Sequence, residues 1–318
     1  MTPLAKPLAT FLDRLVLQYH RRELLNSDPL EFMTRYPDPY DQEVVGLIAA
    51  LLAYGNVVQI RRSVSSALER MALLAERPAD FAGQMESPAF RKKAEREFQS
   101  WVHRFNTGAD LLKLLGLLSR SWSTYGTLGA HFTKNLAPAD KDISGALNLL
   151  IADWSAWSGG ASATPGLRFF LTAPASGSCC KRWCMFLRWM GRSDSIDPGL
   201  WTQGSALCTT FPAGRFLAPH QLIMPMDTHV SRISRYLRLT ERKATDWKTA
   251  LEVTSALRGA DPQDPVRYDF ALSRLGILDV CTGKYLAEIC KNCQIRPVCH
   301  VGSGKNPVKR KKFGELTS

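Results

Sequence analysis

Residues 281–299 read CTGKYLAEICKNCQIRPVC and hold four cysteines within nineteen positions. The spacing is C-x8-C-x2-C-x5-C, through Cys281, Cys290, Cys293 and Cys299. The C-x2-C pair forms the tight loop by which two thiolates reach one metal centre, and four thiolates hold either a [4Fe–4S] cluster or a tetrahedral zinc ion. Four unrelated cysteines are the plain alternative. The stretch therefore predicts a metal centre whose identity the spacing alone leaves open.

Helical periodicity dominates the rest of the chain. Apolar residues recur three or four positions apart in ten segments, and no clear run alternates with period two. The segments are 8–25, 41–54, 60–74, 90–105, 111–122, 143–157, 180–190, 228–237, 246–257 and 265–275. We therefore predict an all-α fold.

Composition points to a basic protein with a real core. The chain has 318 residues, of which 45% are hydrophobic, enough for one large or two ordinary domains. Its formal net charge of +12 favours a polyanionic partner, most commonly nucleic acid. Residues 301–318 hold five basic residues against one acidic residue and have no apolar period, so we predict a disordered basic tail there.

Targeting and redox signals are weak. Asp13 and Arg14 interrupt the first apolar run, so no signal peptide is expected, and the longest apolar stretch, 44–54, is too short to cross a bilayer. We expect a soluble, cytoplasmic protein. In a reducing compartment its eight cysteines favour metal binding or reactivity over disulfides. Reactive thiols would be Cys179, Cys180 and Cys184, because a thiol at a helix N-terminus has a lowered pKa.

Two further segments carry candidate chemistry. Residues 225–230 read PMDTHV, and an aspartate before a helix caps free N–H groups while the helix dipole keeps its carboxylate ionised. Residues 176–183 read SGSCCKRW, a turn into an apolar-periodic helix. In that first turn the dipole and Arg182 both favour the neutral amine of Lys181, the form that attacks carbon. The plain interpretations are an ordinary N-cap at Asp227 and a solvated lysine at Lys181.

Together these segments resemble the helix-hairpin-helix DNA glycosylase superfamily, endonuclease III-like, over about residues 41–300. Asp227 occupies the place of the catalytic aspartate, and Lys181 that of the nucleophilic lysine of bifunctional members. The four cysteines resemble the cluster loop of the endonuclease III and adenine glycosylase branch, with a longer first gap. The mix of AYGN at 53–56, CKR with FLRWM, and MDTHV also resembles a bacterial group of uncharacterised proteins related to this superfamily.

The resemblance implies an all-α, two-domain glycosylase-like architecture with a C-terminal iron–sulfur loop, so it favours iron over zinc. Residues 1–40 would pack with the C-terminal half, 41–215 would form a helical barrel with the hairpin and an insertion, 216–300 a helical domain with the cysteines, and 301–318 the tail. Two departures stand out. Cys179 replaces the hairpin's second glycine, and the long insertion at 191–225 is expected to remodel the base pocket.

The implied function is a DNA base-excision glycosylase with associated lyase activity, monomeric and acting on damaged duplex DNA without a membrane. Lys181 would attack the sugar C1′ and form a Schiff base, and Asp227 would stabilise positive charge on the sugar. Tyr54 would be either a wedge in the duplex or, as we favour, a core residue. The predicted DNA-binding residues are Tyr54, Asn56, Ser176, Gly177, Ser178, Arg182, Arg232, Lys284, Lys291 and Arg296.

Two other functions stay open at this stage. The first is a non-catalytic nucleic-acid-binding module that keeps a structural iron–sulfur cluster, which the change at Cys179 and the insertion favour. The second is a redox sensor that uses the cysteines near the hairpin.

Overall fold

The computed structural model describes residues 6–278, 281, 285–293 and 295–301. Within these ranges the chain is mostly helical, which confirms the predicted all-α class. The α-helices there are α1 (Lys6–Tyr19), α2 (Pro39–Leu51), α3 (Val57–Ala72), α4 (Pro78–Gly83), α5 (Pro88–Glu97), α6 (Gly108–Tyr125), α7 (Leu128–Thr133), α8 (Ser144–Trp157), α9 (Pro165–Phe170), α10 (Lys181–Gly191), α11 (Thr228–Tyr236), α12 (Trp247–Leu257), α13 (Asp269–Ile277) and α14 (Ala287–Lys291). The predicted tail, apart from Val301, lies outside the described residues, as does Lys284.

Helix α2 forms the centre of the core. Asp38 caps it by accepting a hydrogen bond of 2.9 Å from the Tyr40 N–H. Pro39 fits the first helical position because the backbone N–H that proline lacks would have no partner inside the helix. Nearly all its later residues are buried, as expected for a helix that is apolar on every side. It packs against α10 and the 3-10 turn Pro29–Arg35. No helix in the described part of the chain is both long and apolar enough to cross a bilayer.

One predicted helix, 90–105, is wrong at its end. Helix α5 stops at Glu97, and an antiparallel ribbon of β1 (Val102–His103) and β2 (Asn106–Thr107) follows. Arg104, in the turn between the strands, has a φ of 55°, which lies in the left-handed region and ends helical geometry. Thr107 then caps α6 through a capping box with Asp110.

The two ends of the described chain meet. Helix α1 packs against α13, and Asp28, just before the Pro29–Arg35 turn, forms an ion pair of 2.6 Å with the buried Arg274 of α13. Helix α13 also packs against α11. The N-terminal segment therefore braces the helix that forms one wall of the cleft described next.

Candidate active site

A cleft of about 510 Å³ lies among α2, α10, α11 and α13. Its wall includes Tyr54 and Gly55 after α2, Lys181 at the start of α10, Asp227 at the start of α11, and Asp269 in α13. The fold therefore brings Lys181 and Asp227, which are distant in sequence, to one cavity.

Lys181 is the first residue of α10, and its Nζ donates a hydrogen bond of 2.9 Å to the carbonyl oxygen of Ala53. The preceding residue, Cys180, has a φ of 46°, so the chain enters the helix through a sharp left-handed turn. The lysine side chain is half-buried, and its amine is held against the loop that follows α2.

Asp227 is the N-cap of α11, and its Oδ1 accepts from the backbone N–H of Val230 at 2.6 Å. The prediction that this aspartate opens a helix is confirmed. The side chain also lines the cleft, so the carboxylate has a structural role and a surface that a ligand can reach.

A third ionisable group in the cleft was not predicted from the sequence. Asp269, only 5% exposed, forms an ion pair with Arg188 of α10, which also contacts Asp197 at 3.1 Å. Burial raises the pKa of Asp269 to about 6; Arg188 opposes this shift, and the negative charge of Asp227 adds to it. The available signal was a charged residue within the largely apolar stretch YDFALSRLG at 268–276.

His229, also in the cleft wall, lies where α11 and α13 approach most closely. A Cβ atom at Gly276 of α13 would overlap its imidazole ring, so glycine is required at that contact. The buried Nδ1 of His229 has no hydrogen-bond partner among the described residues. The motif MDTHV pointed to Asp227, and the structure adds this histidine to the same wall.

Aromatic side chains form the rim beside Lys181. Tyr54 packs edge-on against His103 and Phe169, and its hydroxyl donates to the His103 carbonyl at 3.0 Å and to Asn106. Burial raises the pKa of Tyr54 to about 12. These contacts support the core interpretation of Tyr54. The exposed aromatic here is Phe105, at 53%, on the turn of the β1–β2 ribbon.

The other polar residues predicted to bind DNA have local structural roles. Asn56 caps α3 by accepting from Val58, and Ser176 donates to the Ala173 carbonyl at 2.7 Å. The Ser178 hydroxyl accepts from the Cys180 N–H at 3.2 Å. Gly177 has a φ of 79°, and its carbonyl accepts from the Trp247 N–H at 3.0 Å, which joins the hairpin to α12.

Cys179, which replaces the hairpin's second glycine in the resemblance, does not need positive φ. Among the described residues of this turn, positive φ occurs at Gly177 and Cys180, so Cys179 keeps an ordinary backbone conformation. The left-handed non-glycine residue is Cys180, the N-cap of α10.

Two of the predicted DNA-binding arginines are engaged within the protein. Arg182 is buried and donates to the carbonyls of Leu51, at 2.9 Å, and Phe169, and burial lowers its pKa to about 10. Arg232 donates from Nη2 to the Cys281 carbonyl at 2.9 Å. The first joins α10 to α2, and the second joins α11 to the cysteine segment.

The four predicted metal ligands lie in one neighbourhood. Burial raises the pKa of Cys293, and the nearby Cys281, Cys299 and Cys290 raise it further; Cys293 N donates to the Cys290 carbonyl at 3.3 Å. Within the described ranges no set of three or more His, Cys, Asp or Glu side chains is arranged to hold a metal ion. Lys291 and Arg296, predicted to contact DNA, are exposed beside these cysteines.

Comparison with known families gives one match. Residues 28–278 match a family described as protein of unknown function (DUF2400). The chain belongs to the DUF2400 family. No curated protein and no solved structure matches it. The matched range contains the whole wall of the cleft and stops before the cysteine segment.

In this DUF2400 protein most of the insertion at 191–225 lies outside the described cleft wall, although its Asp197 contacts Arg188 of that wall. Pro225, its last residue, is the one insertion residue in the described cleft wall. Trp201 donates from Nε1 to the buried Glu43 at 2.8 Å, and Arg215 donates to the Leu136 carbonyl at 2.6 Å. Phe211 packs against Gly129, where a Cβ would overlap its ring.

Two of the predicted reactive thiols of this DUF2400 protein, Cys180 and Cys184, are not activated. Burial raises the pKa of Cys180 to about 12 and raises that of Cys184 well above its ordinary value. The expectation of lowered pKa values is therefore wrong for these two residues, because loss of hydration outweighs the helix dipole. The redox-sensor hypothesis loses its chemical basis at both positions.

Proposed function

We propose that this chain is a DNA base-excision glycosylase with associated lyase activity. The observation that carries the proposal is that Lys181 and Asp227 line one cleft although 45 residues separate them in sequence. An amine and a carboxylate on one wall are the groups that covalent catalysis at a sugar carbon requires. The cleft volume, about 510 Å³, lies in the usual range for small-molecule sites and leaves room for one everted base.

The residues divide the reaction as follows. The nitrogen lone pair of Lys181 attacks C1′ of the everted nucleotide as the base departs. Asp227 stabilises the positive charge that develops on the sugar and accepts the proton that the attacking nitrogen loses. The nitrogen lone pair of the C1′–Nζ adduct then expels O4′, which takes the proton held by Asp227. The Schiff base that this ring opening gives allows β-elimination and strand cleavage. Ala53, whose carbonyl holds the amine, positions Lys181 for attack.

The rim supports a duplex partner. Arg104 and the exposed Phe105 lie on the ribbon turn beside Tyr54, so a cation and an aromatic face stand next to the cleft entrance. Apolar wedges combined with basic residues are the usual means by which proteins unstack a base step. The net charge of +12 supplies the attraction for phosphates.

The four cysteines fit an iron–sulfur cluster by donor type and by proximity, since the other three thiols all act on Cys293. When bound, the cluster would cross-link the segment that contacts α11 through Arg232 and the Cys281 carbonyl. An absorption spectrum and metal analysis of aerobically purified protein test this. Iron found together with sulfide supports the iron–sulfur assignment, whereas bound zinc would show that the cysteines hold a zinc ion instead. A metal content that is unchanged in Cys293→Ser contradicts both assignments.

Borohydride trapping tests the enzyme proposal. Reduction in the presence of DNA carrying an abasic site or a panel of oxidised bases should give a covalent adduct with the wild type and none with Lys181→Gln. Lys113→Gln, an exposed lysine on α6 outside the cleft wall, is the matched control and should trap fully. Salt-dependent DNA binding by the wild type, with no adduct and no base release, would instead establish the non-catalytic binding module.

A further inference from the structure

The cleft contains one acidic group beyond the Lys181–Asp227 pair. We propose that Asp269 is the general acid that protonates the departing base, an inference that rests on the glycosylase function proposed above. The group lies in the first turn of α13, paired with Arg188 from the last turn of α10, in the wall of the same cleft.

The surroundings of Asp269 are charged on several sides. Its Oδ2 pairs with Arg188, whose other nitrogen contacts Asp197. The ionisable groups that act on it or on its partner are Arg188 and Cys184 on α10, Asp197 after α10, Asp227 before α11, and Asp28 before the Pro29–Arg35 turn. Arg188 has a buried Nε with no partner among the described residues, and it too lines the cleft.

The two carboxyl groups of the cleft stand in opposite environments. Asp227 accepts the Val230 N–H at 2.6 Å as the N-cap of α11. Asp269 is buried beside the Asp227 charge, which favours the protonated acid, and its pKa of about 6 lets it hold and release a proton near neutral pH. These environments suit Asp227 to charge stabilisation and Asp269 to proton donation.

The step balances as follows. The C1′–N glycosidic bond breaks, its electron pair goes to the base nitrogen, and that nitrogen takes the proton of Asp269. Lys181 supplies the electron pair of the new C1′–Nζ bond, and Asp227 takes the proton released from Nζ. No external oxidant or reductant takes part. After base departure Asp269 is a carboxylate paired with Arg188, and it regains a proton from solvent.

Asp269→Asn and Asp197→Asn form a matched pair for the test. Both carboxylates contact the same Arg188, but Asp269 alone of the two lines the described cleft. Single-turnover base release is measured against pH for an ordinary lesion base and for an analogue whose electron-poor base leaves as an anion. We expect Asp269→Asn to slow release of the ordinary base about 100-fold, since general acids contribute factors of that order, and to leave the activated base unaffected. Asp197→Asn should keep the step in the pH profile but move it to lower pH, because the Asp197 charge raises the pKa of Asp269.

Each outcome decides the inference. Equal losses in both variants, or an equal loss for both leaving bases, would show that Asp269 is merely structural. If Asp269→Asn does not fold, the wild type carries the test: release of the ordinary base must fall as pH rises through about 6, while release of the activated base stays level. An infrared band of a protonated carboxyl that titrates in the wild type and in Asp197→Asn gives a readout independent of turnover.

Trapping at a preformed abasic site separates this inference from the function on which it rests. That reaction needs Lys181 but no leaving base. A wild type that forms no adduct there refutes the proposed function. Normal adduct formation combined with unchanged base release in Asp269→Asn refutes only the role of Asp269. Normal adduct formation with no base released from any lesion also refutes it, because the acid would have no base to protonate.

Discussion

Replacing Glu43 by glutamine should destabilise the packing of the helices that it joins, although Glu43 lies outside the described cleft wall. Glu43 is fully buried in α2 and accepts four N–H groups. Oε2 accepts from Trp122 Nε1 at 2.7 Å and Leu128 N at 3.1 Å, and Oε1 from Trp201 Nε1 at 2.8 Å and Gly129 N at 3.1 Å. The carboxylate therefore joins α2, α6, α7 and the insertion at one point.

The magnitude follows from the donor count. Burial raises the pKa of Glu43, but the four N–H groups oppose that shift, and because all four neighbours donate we expect an ionised carboxylate at neutral pH. Glutamine keeps one accepting oxygen and places an NH₂ group against the other two donors. A buried polar group left without a partner costs about 1–3 kcal/mol, so two orphaned donors give a loss of about 3–5 kcal/mol in the free energy of unfolding.

Urea denaturation followed by tryptophan fluorescence is the measurement, because Trp122 and Trp201 both contact Glu43. Glu69→Gln, on the exposed face of α3, is the matched control and should change stability by less than about 0.5 kcal/mol. A loss of under about 1 kcal/mol in Glu43→Gln would refute the reasoning, since it would mean that a neutral amide satisfies the same four donors.

Three further results are expected. Phe105→Ala should weaken binding to lesion-bearing duplex DNA, as measured by fluorescence anisotropy. Val102→Ala, which shortens an equally exposed side chain of the same ribbon, should not weaken it. Equal effects of the two substitutions would show that Phe105 does not contact the DNA. In Asp246→Asn the fall in melting temperature between pH 6 and pH 2 should be smaller than in the wild type. Hydrogen bonds from Thr249 and Arg242 lower the pKa of Asp246 to about 2, and the stabilisation that the carboxylate gives is lost as pH falls through this value. An unchanged fall in melting temperature would contradict this prediction. Cys180 and Cys184 should resist iodoacetamide in the native protein at pH 8 and react after denaturation, as mass spectrometry would show; rapid native labelling would restore the reactive-thiol hypothesis.

Local signals in the sequence were enough for most of the helices and for the position of Asp227. A run of apolar residues at helical spacing predicted α10 and α12 to within a residue or two, and the residue before α11 behaves as the N-cap that its type predicts. The ribbon at Val102–Thr107 escaped because its only warning is a non-glycine residue, Arg104, that must take positive φ. Backbone conformation of that kind is decided by packing around it, not by residue type.

The remaining features of the cleft depend on contacts between distant parts of the chain. Asp269 meets Arg188 across 81 positions, and neither lies in a recognisable motif. The contacts of the insertion were equally hidden: Trp201 donates to Glu43 of α2, and Asp197 contacts Arg188 of the cleft wall. Pairing of buried charges across a fold is not visible in periodicity, because each member looks like an isolated polar residue on its own helix.

Access from the solvent, more than hydrogen-bond distance, distinguishes candidate catalytic residues from structural residues in this protein. Ser121, His131 and Asp153 reproduce the distances of a hydrolase triad, with 2.9 Å from Oγ to Nδ1 and 3.0 Å from Nε2 to the carboxylate. Ser121 and His131 are fully buried, and the Ser121 hydroxyl is also held by Trp154 Nε1 and the Leu117 carbonyl. No substrate carbonyl can reach that oxygen, and burial lowers the pKa of His131. Asp269 is almost as buried, but its wall opens onto a cavity shared with an amine and a second carboxylate, which is why the catalytic proposal rests there.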